Sequence, residues 1–282
     1  MAFPTLNAFE ESSAISVAMV TELRQKFLEI VSKNPELYYD KDIDKIKSDD
    51  WSLKRFLNQN KCNEEKALES IDKAMKWRKS FGVLELSDKD FPKQFFQSAP
   101  LFLYGQDLNG SQLLIMRAKV SRKIKSWIPT AQKFFVYLVE KAETMNKGKG
   151  ATLLLDCKDS GVKNTDIDFM KFSYHVLNDY YPGLVNAGLV YKLPKVMEAV
   201  YKAVKSWLNE EQEKYCYLIS KKNIHEYVAQ NQLPDLLLGL NQEPYRNIPD
   251  NSPTAHELAE RLGIKVEKAD KLVKHLEPFF IE

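Results

Sequence analysis

The spacing of apolar side chains changes along the chain, and each change predicts a different kind of structure. Over roughly the first 85 residues the apolar positions recur at helical intervals. Val17, Val20, Leu23, Phe27, Ile30 and Val31 make one stripe, which Pro35 stops. A second helix follows Asn63, whose side chain can accept a hydrogen bond from a free backbone N–H of the first turn, where Glu64 and Glu65 also suit the helix dipole. Leu68, Ile71 and Met75 form its stripe, and Gly82 supplies the stop. The pattern predicts a small all-helical subdomain over 1–90.

From Leu101 the period shortens. Residues 101–104 and 112–118 read as two strands, and Asn109-Gly110 between them is a hairpin signal because both tolerate positive φ. Helices and strands then alternate: a helix over 130–145, a buried-type strand over 152–156, a helix over 165–180 and a strand over 187–192. A long helix over 194–208 and a strand over 215–219 complete the series. Alternation of this kind predicts an α/β domain over 91–247, with a mostly parallel sheet layered by helices. The remaining 248–282 reads as a helical hairpin tail split by Gly263, with Pro253 placed for a first helical position.

Composition narrows the function. With 44% hydrophobic and 28% charged residues over 282 positions, the chain has material for a large core. Lysine and arginine (41) nearly balance the acids (39), so no overall field marks a nucleic-acid binder. Cys62, Cys157 and Cys216 lack paired spacing, which points to a reducing compartment without disulfides or a metal site. The mildly apolar 14–20 stretch follows Glu10 and Glu11 with no basic region ahead of it, so no secretory leader is expected. No apolar run approaches the roughly 20 residues of a membrane span, and any membrane contact is expected to be peripheral, from the cytoplasm.

Several motifs fall in one order: Leu53-Lys54-Arg55-Phe56-Leu57, Lys66-Ala67-Leu68, Trp77-Arg78-Lys79, Gly105-x-Asp107-x-x-Gly110, Leu153-Leu154-Leu155-Asp156, Tyr180-Tyr181-Pro182, Leu193-Pro194, and Leu233-Pro234 to Gly239. Together they resemble the CRAL-TRIO lipid-binding family, in particular modules that are joined to a motile sperm domain. The resemblance implies an apolar cavity over the sheet, closed by the helix after Leu193-Pro194, and a role in carrying or sensing a lipid without a further cofactor. Family members that bind phosphatidylinositol tend to carry a lysine two residues after the proline and then a glycine pair. Here those positions read Leu236, Leu238 and Gly239, which weakens the inositol-lipid reading.

The gating helix implied by the resemblance is amphipathic. Val196, Met197, Val200, Tyr201, Val204, Trp207 and Leu208 keep helical spacing, while Lys195, Glu198, Lys202 and Lys205 occupy other faces. Taken alone, the same pattern describes an ordinary packed helix. With the helix over 130–145 and the central strands as walls, the expected ligand contacts are Phe135, Leu138, Val139, Leu154, Leu189, Tyr191, Met197, Val200, Tyr201 and Val204. The expected contacts to an anionic head group or membrane are Lys195, Lys202, Lys205 and Trp207, joined by the acid-free run Arg117, Lys119, Arg122, Lys123.

Other chemistry finds less support. There is no Gly-x-Ser-x-Gly elbow, and Lys147-Gly148-Lys149-Gly150 lacks the spacing of a phosphate-binding loop. His175, His225, His256 and His275 are scattered, and Asp156 and Asp159 at a strand end read as turn formers. No enzyme is expected. The tail has the sound of a helix-turn-helix but balanced charge, so a hairpin packed on the main domain, or engaging a protein partner, is preferred to nucleic acid. A ligand-free interaction scaffold is the competing reading of the whole chain.

Overall fold

The computed structural model describes residues 12–145 and 150–280, so Glu10, Glu11 and residues 147–149 lie outside the described residues. Two compact units divide the chain. One is helical: α1 (Val17–Lys33), α2 (Asp40–Ser48), α3 (Trp51–Gln59) and α4 (Glu64–Phe81). To these it adds the later segment Ser173–Val185. Its core is the stripe foreseen for α1, with Leu23 and Phe27 buried against Leu53, Leu57, Ala67 and Ile71. Ser16 and Asn63 accept from the backbone N–H of Met19 and Lys66, and Gly82 ends α4 at φ 77°. Both helices therefore begin and end on side chains suited to the task.

The family-type motifs of this unit meet in space. Arg78 donates through Nε and Nη2 to the two carboxylate oxygens of Asp42 at 2.7 and 2.9 Å, and through Nη1 to the Tyr181 hydroxyl at 2.9 Å. Arg55 donates to the carbonyl of Pro182, and the Trp77 and Tyr180 rings stack at 3.9 Å. Arg78 and Asp42 are both buried, and their fork geometry satisfies charges that would otherwise be costly to desolvate.

The other unit comprises α5 (Lys93–Ser98), β1 (Leu101–Gln106), β2 (Gln112–Arg117), α6 (Ile128–Met145), β3 (Ala151–Asp156), α7 (Ile167–His175), β4 (Val185–Tyr191), α8 (Glu198–Lys205), α9 (Glu210–Lys214), β5 (Cys216–Ile219), α10 (Ala255–Arg261) and α11 (Val266–Leu276). The last residues of α7 and the first of β4 belong to the segment shared with the helical unit. The five strands lie in the order β1-β2-β3-β4-β5. β1 and β2 are an antiparallel hairpin, while β2–β3 and β4–β5 are parallel pairs. The chain is thus an α/β protein with a helical N-terminal region and a mostly parallel sheet. The hairpin turn is organised by Asp107 rather than by Asn109: the Asp107 carboxylate accepts from the N–H of Asn109 and Ser111 and from the Thr152 hydroxyl, at 2.9, 2.9 and 2.7 Å. Of the Asn109-Gly110 pair only Gly110 takes positive φ, at 80°.

Three expectations change. The helix expected over 165–180 is α-helical only to His175 and widens into a π-helical stretch over Val176–Tyr180. The helix expected over 194–208 is a 3₁₀ turn at Lys195–Met197 followed by the two-turn α8, with a new cap at Asn209 opening α9. Pro253 precedes the cap instead of starting the helix, because Thr254 and Glu257 form a reciprocal capping box there. The helical unit draws in Ser173–Val185, and the tail is part of the sheet unit. The tail is tied there by Lys93 N–H to the Pro253 carbonyl at 2.7 Å and Trp127 Nε1 to the Lys268 carbonyl at 2.9 Å.

Candidate functional site

The two faces of the sheet are packed differently. Side chains alternate along a strand, so Phe102, Tyr104, Leu113, Ile115, Leu154, Ala187, Leu189, Tyr191 and Ile219 share one face. All are buried, under Ile224, Tyr227, Val228, Leu233 and Leu237 of the following segment. The intervening positions form the other face. Here Leu103, Met116, Leu153, Leu155, Gly188 and Cys216 are only half-buried, and Leu218 is 55% exposed. This second face is an apolar floor that its covering elements do not seal.

Over that floor lies α8. Tyr201 and Leu193 pack, together with Leu155 and Cys216, against the buried cluster of Ala118, Cys157 and Val190. Val200, Tyr201 and Val204 face the protein at helical spacing but remain half-buried, and α8 has no fully buried residue. Val196, just before it, is 60% exposed. A helix bound by so little buried surface is cheap to displace, since each square ångström of apolar contact contributes about 25 cal/mol.

At Gly188 the floor has room for a methyl group. A Cβ added at Gly188 meets only the Cys216 sulfur, at 3.8 Å, which is ordinary contact. A glycine inside a strand gives up packing and often marks the close approach of a ligand or another backbone. The surroundings are of low polarity: burial pushes the Cys157 thiol and the Tyr201 hydroxyl up to about 12, the latter with Cys216 3.9 Å from its oxygen, and burial also raises Cys216. Both thiols therefore stay protonated near neutrality and are poor nucleophiles.

The residues expected to touch ligand divide accordingly. Tyr201 lies over the floor, Val200 and Val204 are half-buried on the same helix, and Met197 is buried just ahead of it, 3.7 Å from the Thr165 hydroxyl. Leu154, Leu189 and Tyr191 face the opposite, sealed side, so placing them under the helix was wrong by one residue of strand register. Phe135, Leu138 and Val139 are buried in α6, with Phe135 packed edge-on against Phe169 and Phe172. Leu155, Val190 and Cys216, which are not among the expected contacts, share a cluster with Tyr201, and Gly188 was the signal that could have set the register.

The basic residues also separate. Arg117 is 1% exposed, donates to the Ser98 carbonyl at 2.8 Å and stands opposite the buried Asp156 across β2–β3, so it belongs to the interior and meets no head group. Burial raises the Asp156 carboxyl, and the Lys158 backbone N–H that it accepts at 3.0 Å works against the rise, the turn-former arrangement expected for it. Lys123 is paired with Asp168 at 2.5 Å, Lys205 with Glu213 at 3.5 Å. Lys195, Lys202 and Arg122 are exposed, while Lys119 and Trp207 are half-buried. Leu236, at the position where a lysine was sought, packs on the sealed face, and Leu238 takes the left-handed φ of 64° that glycine would adopt freely.

The CRAL/TRIO domain model matches residues 96–239, just over half of the sequence. The chain belongs to the CRAL/TRIO family. Curated relatives include a CRAL-TRIO domain-containing protein of Schizosaccharomyces pombe, 28% identical over 57% of this chain and 38% of its own length. Another is the phosphatidylinositol/phosphatidylcholine transfer protein SFH13 of Arabidopsis thaliana, 25% identical over 79% of this chain and 38% of its own. The Sec14 cytosolic factor of Schizosaccharomyces pombe is 24% identical over 70% of this chain and 76% of its own. The chain thus spans about two fifths of the first two relatives. Among solved structures, the crystal structure of Sfh5 has the same fold, with a TM-score of 0.65 at 15% identity over 91% of this chain and 95% of that one. No helix among the described residues is long and apolar enough to cross a membrane.

Proposed function

We propose that this CRAL/TRIO chain binds one lipid-class molecule between the half-covered face of its sheet and α8, and carries or senses it at membranes. The observation that supports this most is the asymmetry of the sheet: one face is sealed by its own chain, while the other keeps an apolar floor from Leu103 to Leu218 beneath a helix with no buried anchor. Water gains nothing from such a floor, whereas acyl or ring surface gains about 25 cal/mol per Å² on covering it. Relatives named as a lipid transfer protein and as Sec14 favour a carrier over a scaffold.

In this reading α8 lifts at a membrane surface, the ligand slides onto the floor, and α8 returns over it. Lys195 and Lys202, exposed on and beside α8, are the basic groups available to an acidic surface, each contributing about 1 kcal/mol. The test is native mass spectrometry of the purified chain, followed by vesicle-to-vesicle transfer of whatever lipid it carries. A stoichiometric lipid mass, with transfer lost in Val200→Trp/Val204→Trp protein that is still folded, is the expected result. An empty protein that takes up no lipid from mixed vesicles would overturn the reading and leave the interaction scaffold.

A further inference from the structure

On the same sheet face as α8, but toward the β1 edge, the sheet unit holds a mostly apolar pocket of about 120 Å³ that is partly open to solvent. Leu101 and Met116 floor it, Ala131 and Phe134 of α6 wall one side, and Leu272 and Leu276 of α11 close it. No residue of α8 lines it. Strand register nevertheless joins it to the floor beneath α8. Met116 stands opposite Leu101 on one side and Leu155 on the other, and Leu155 packs against the same buried cluster as Tyr201. Since neighbouring strands are about 4.8 Å apart, one short row of side chains leads from under α8 to under the tail.

We propose that this cavity is the far end of the ligand channel and that α11 is its end wall, so that the tail sets how long a hydrocarbon chain the protein accepts. The inference rests on the lipid-binding reading above. The chemistry selects hydrocarbon over a head group. The lining is mostly apolar, and two of its polar side chains are already engaged, His275 Nε2 lying 2.8 Å from the Val120 carbonyl and Asp166 accepting from the Phe169 N–H and facing Lys123 at 3.5 Å, while Ser121 and the exposed Arg122 mark the rim. The size selects a chain terminus. A dry apolar cavity of ~150 Å³ holds a benzene-sized guest, so this one takes the last few carbons of a chain and not a whole lipid.

α11 is built as a wall. Leu272 and Leu276 are buried one helical turn apart, and hydrogen bonds fix the helix one turn before Leu272 and between the two leucines, from Trp127 to the Lys268 carbonyl and from His275 to the Val120 carbonyl. Shortening a wall residue lengthens the channel, and enlarging a side chain within the cavity shortens it.

The experiment compares wild type, Leu276→Ala, Ala131→Phe and Leu154→Ala, the last altering only the sealed face. Each full chain is loaded from vesicles of mixed natural phospholipids and repurified, and its extracted lipids are sorted by chain length. Leu276→Ala is expected to shift the bound population toward longer chains and Ala131→Phe toward shorter ones, by roughly tenfold per methylene gained or lost. Leu154→Ala is expected to match wild type. If Leu276→Ala loosens the tail, Ala131→Phe, which leaves α11 intact, decides. The same chain-length profile in wild type, Leu276→Ala and Ala131→Phe, all loaded, overturns the end wall while leaving lipid binding intact. An empty wild type overturns both readings.

Discussion

Leu154 and Leu155 are consecutive in β3 and face opposite sides of the sheet, Leu154 fully buried under the segment after β5 and Leu155 half-buried beneath α8. Leu154→Ala is therefore expected to cost about 2–5 kcal/mol, because a tightly packed site collapses poorly. Leu155→Ala is expected to cost less than Leu154→Ala but to weaken ligand retention. Urea denaturation and extraction of bound lipid, run on both variants, separate the two effects. Equal stability losses would contradict the difference in packing.

Gly188 is the place to fill the proposed site without harming the fold. Its added Cβ meets only Cys216 at 3.8 Å, and a β-branched side chain suits a strand better than glycine does. Gly188→Val is expected to fold and to lose bound lipid. Full lipid loading in this variant would place the ligand elsewhere.

In the helical unit, Asp42→Asn leaves Arg78 buried with half its fork unanswered, and is expected to cost about 3–5 kcal/mol. The check is the midpoint of chemical denaturation, with Arg78→Met/Asp42→Leu as the comparison. The double apolar variant is expected to recover much of the loss.

How far these arrangements were legible in sequence depended on what each signal measures. Apolar periodicity located α1, α4, α6 and all five strands, because burial of one face repeats over many residues. It could not orient β3, where Thr152, Leu153, Leu154 and Leu155 offer apolar surface to both sides, and so the wrong alternates were chosen. It also could not reveal that Arg117 turns inward, since its partner Asp156 is 39 positions away and adjacent only through strand pairing. The tail's attachment includes single long-range hydrogen bonds from Lys93, Trp127 and His275, which leave no repeating pattern.

The docking of α11 should respond to acid. Burial, with Arg122 and Lys163 nearby, lowers the pKa of His275, while its hydrogen bond to Val120 works the other way. A base whose folded pKa is depressed carries no penalty above the unfolded value of about 6.5, and destabilises its site as pH falls from there toward the folded pKa. Hydrogen exchange in α11, corrected for intrinsic rate, is expected to quicken between neutral pH and about pH 5. His275→Gln is expected to flatten that dependence.

Membrane attraction should be small and salt-sensitive. With Lys205 and Lys123 already paired, Lys195→Gln/Lys202→Gln is expected to weaken sedimentation with acidic vesicles by about 2 kcal/mol, or roughly thirtyfold. Raising salt should produce a similar loss in wild type. An unchanged affinity would move the contact surface away from α8.

The unequal faces of the sheet also bear on how such a chain can diverge. Residues that hold the fold, such as Leu154, Leu189 and Tyr191, alternate one by one with residues that proposed cargo would touch, such as Leu155, Gly188 and Val190. Every second position of a strand can therefore drift toward a new guest while its neighbours keep the molecule folded, so cargo preference and folding are inherited as nearly independent traits on the same few strands.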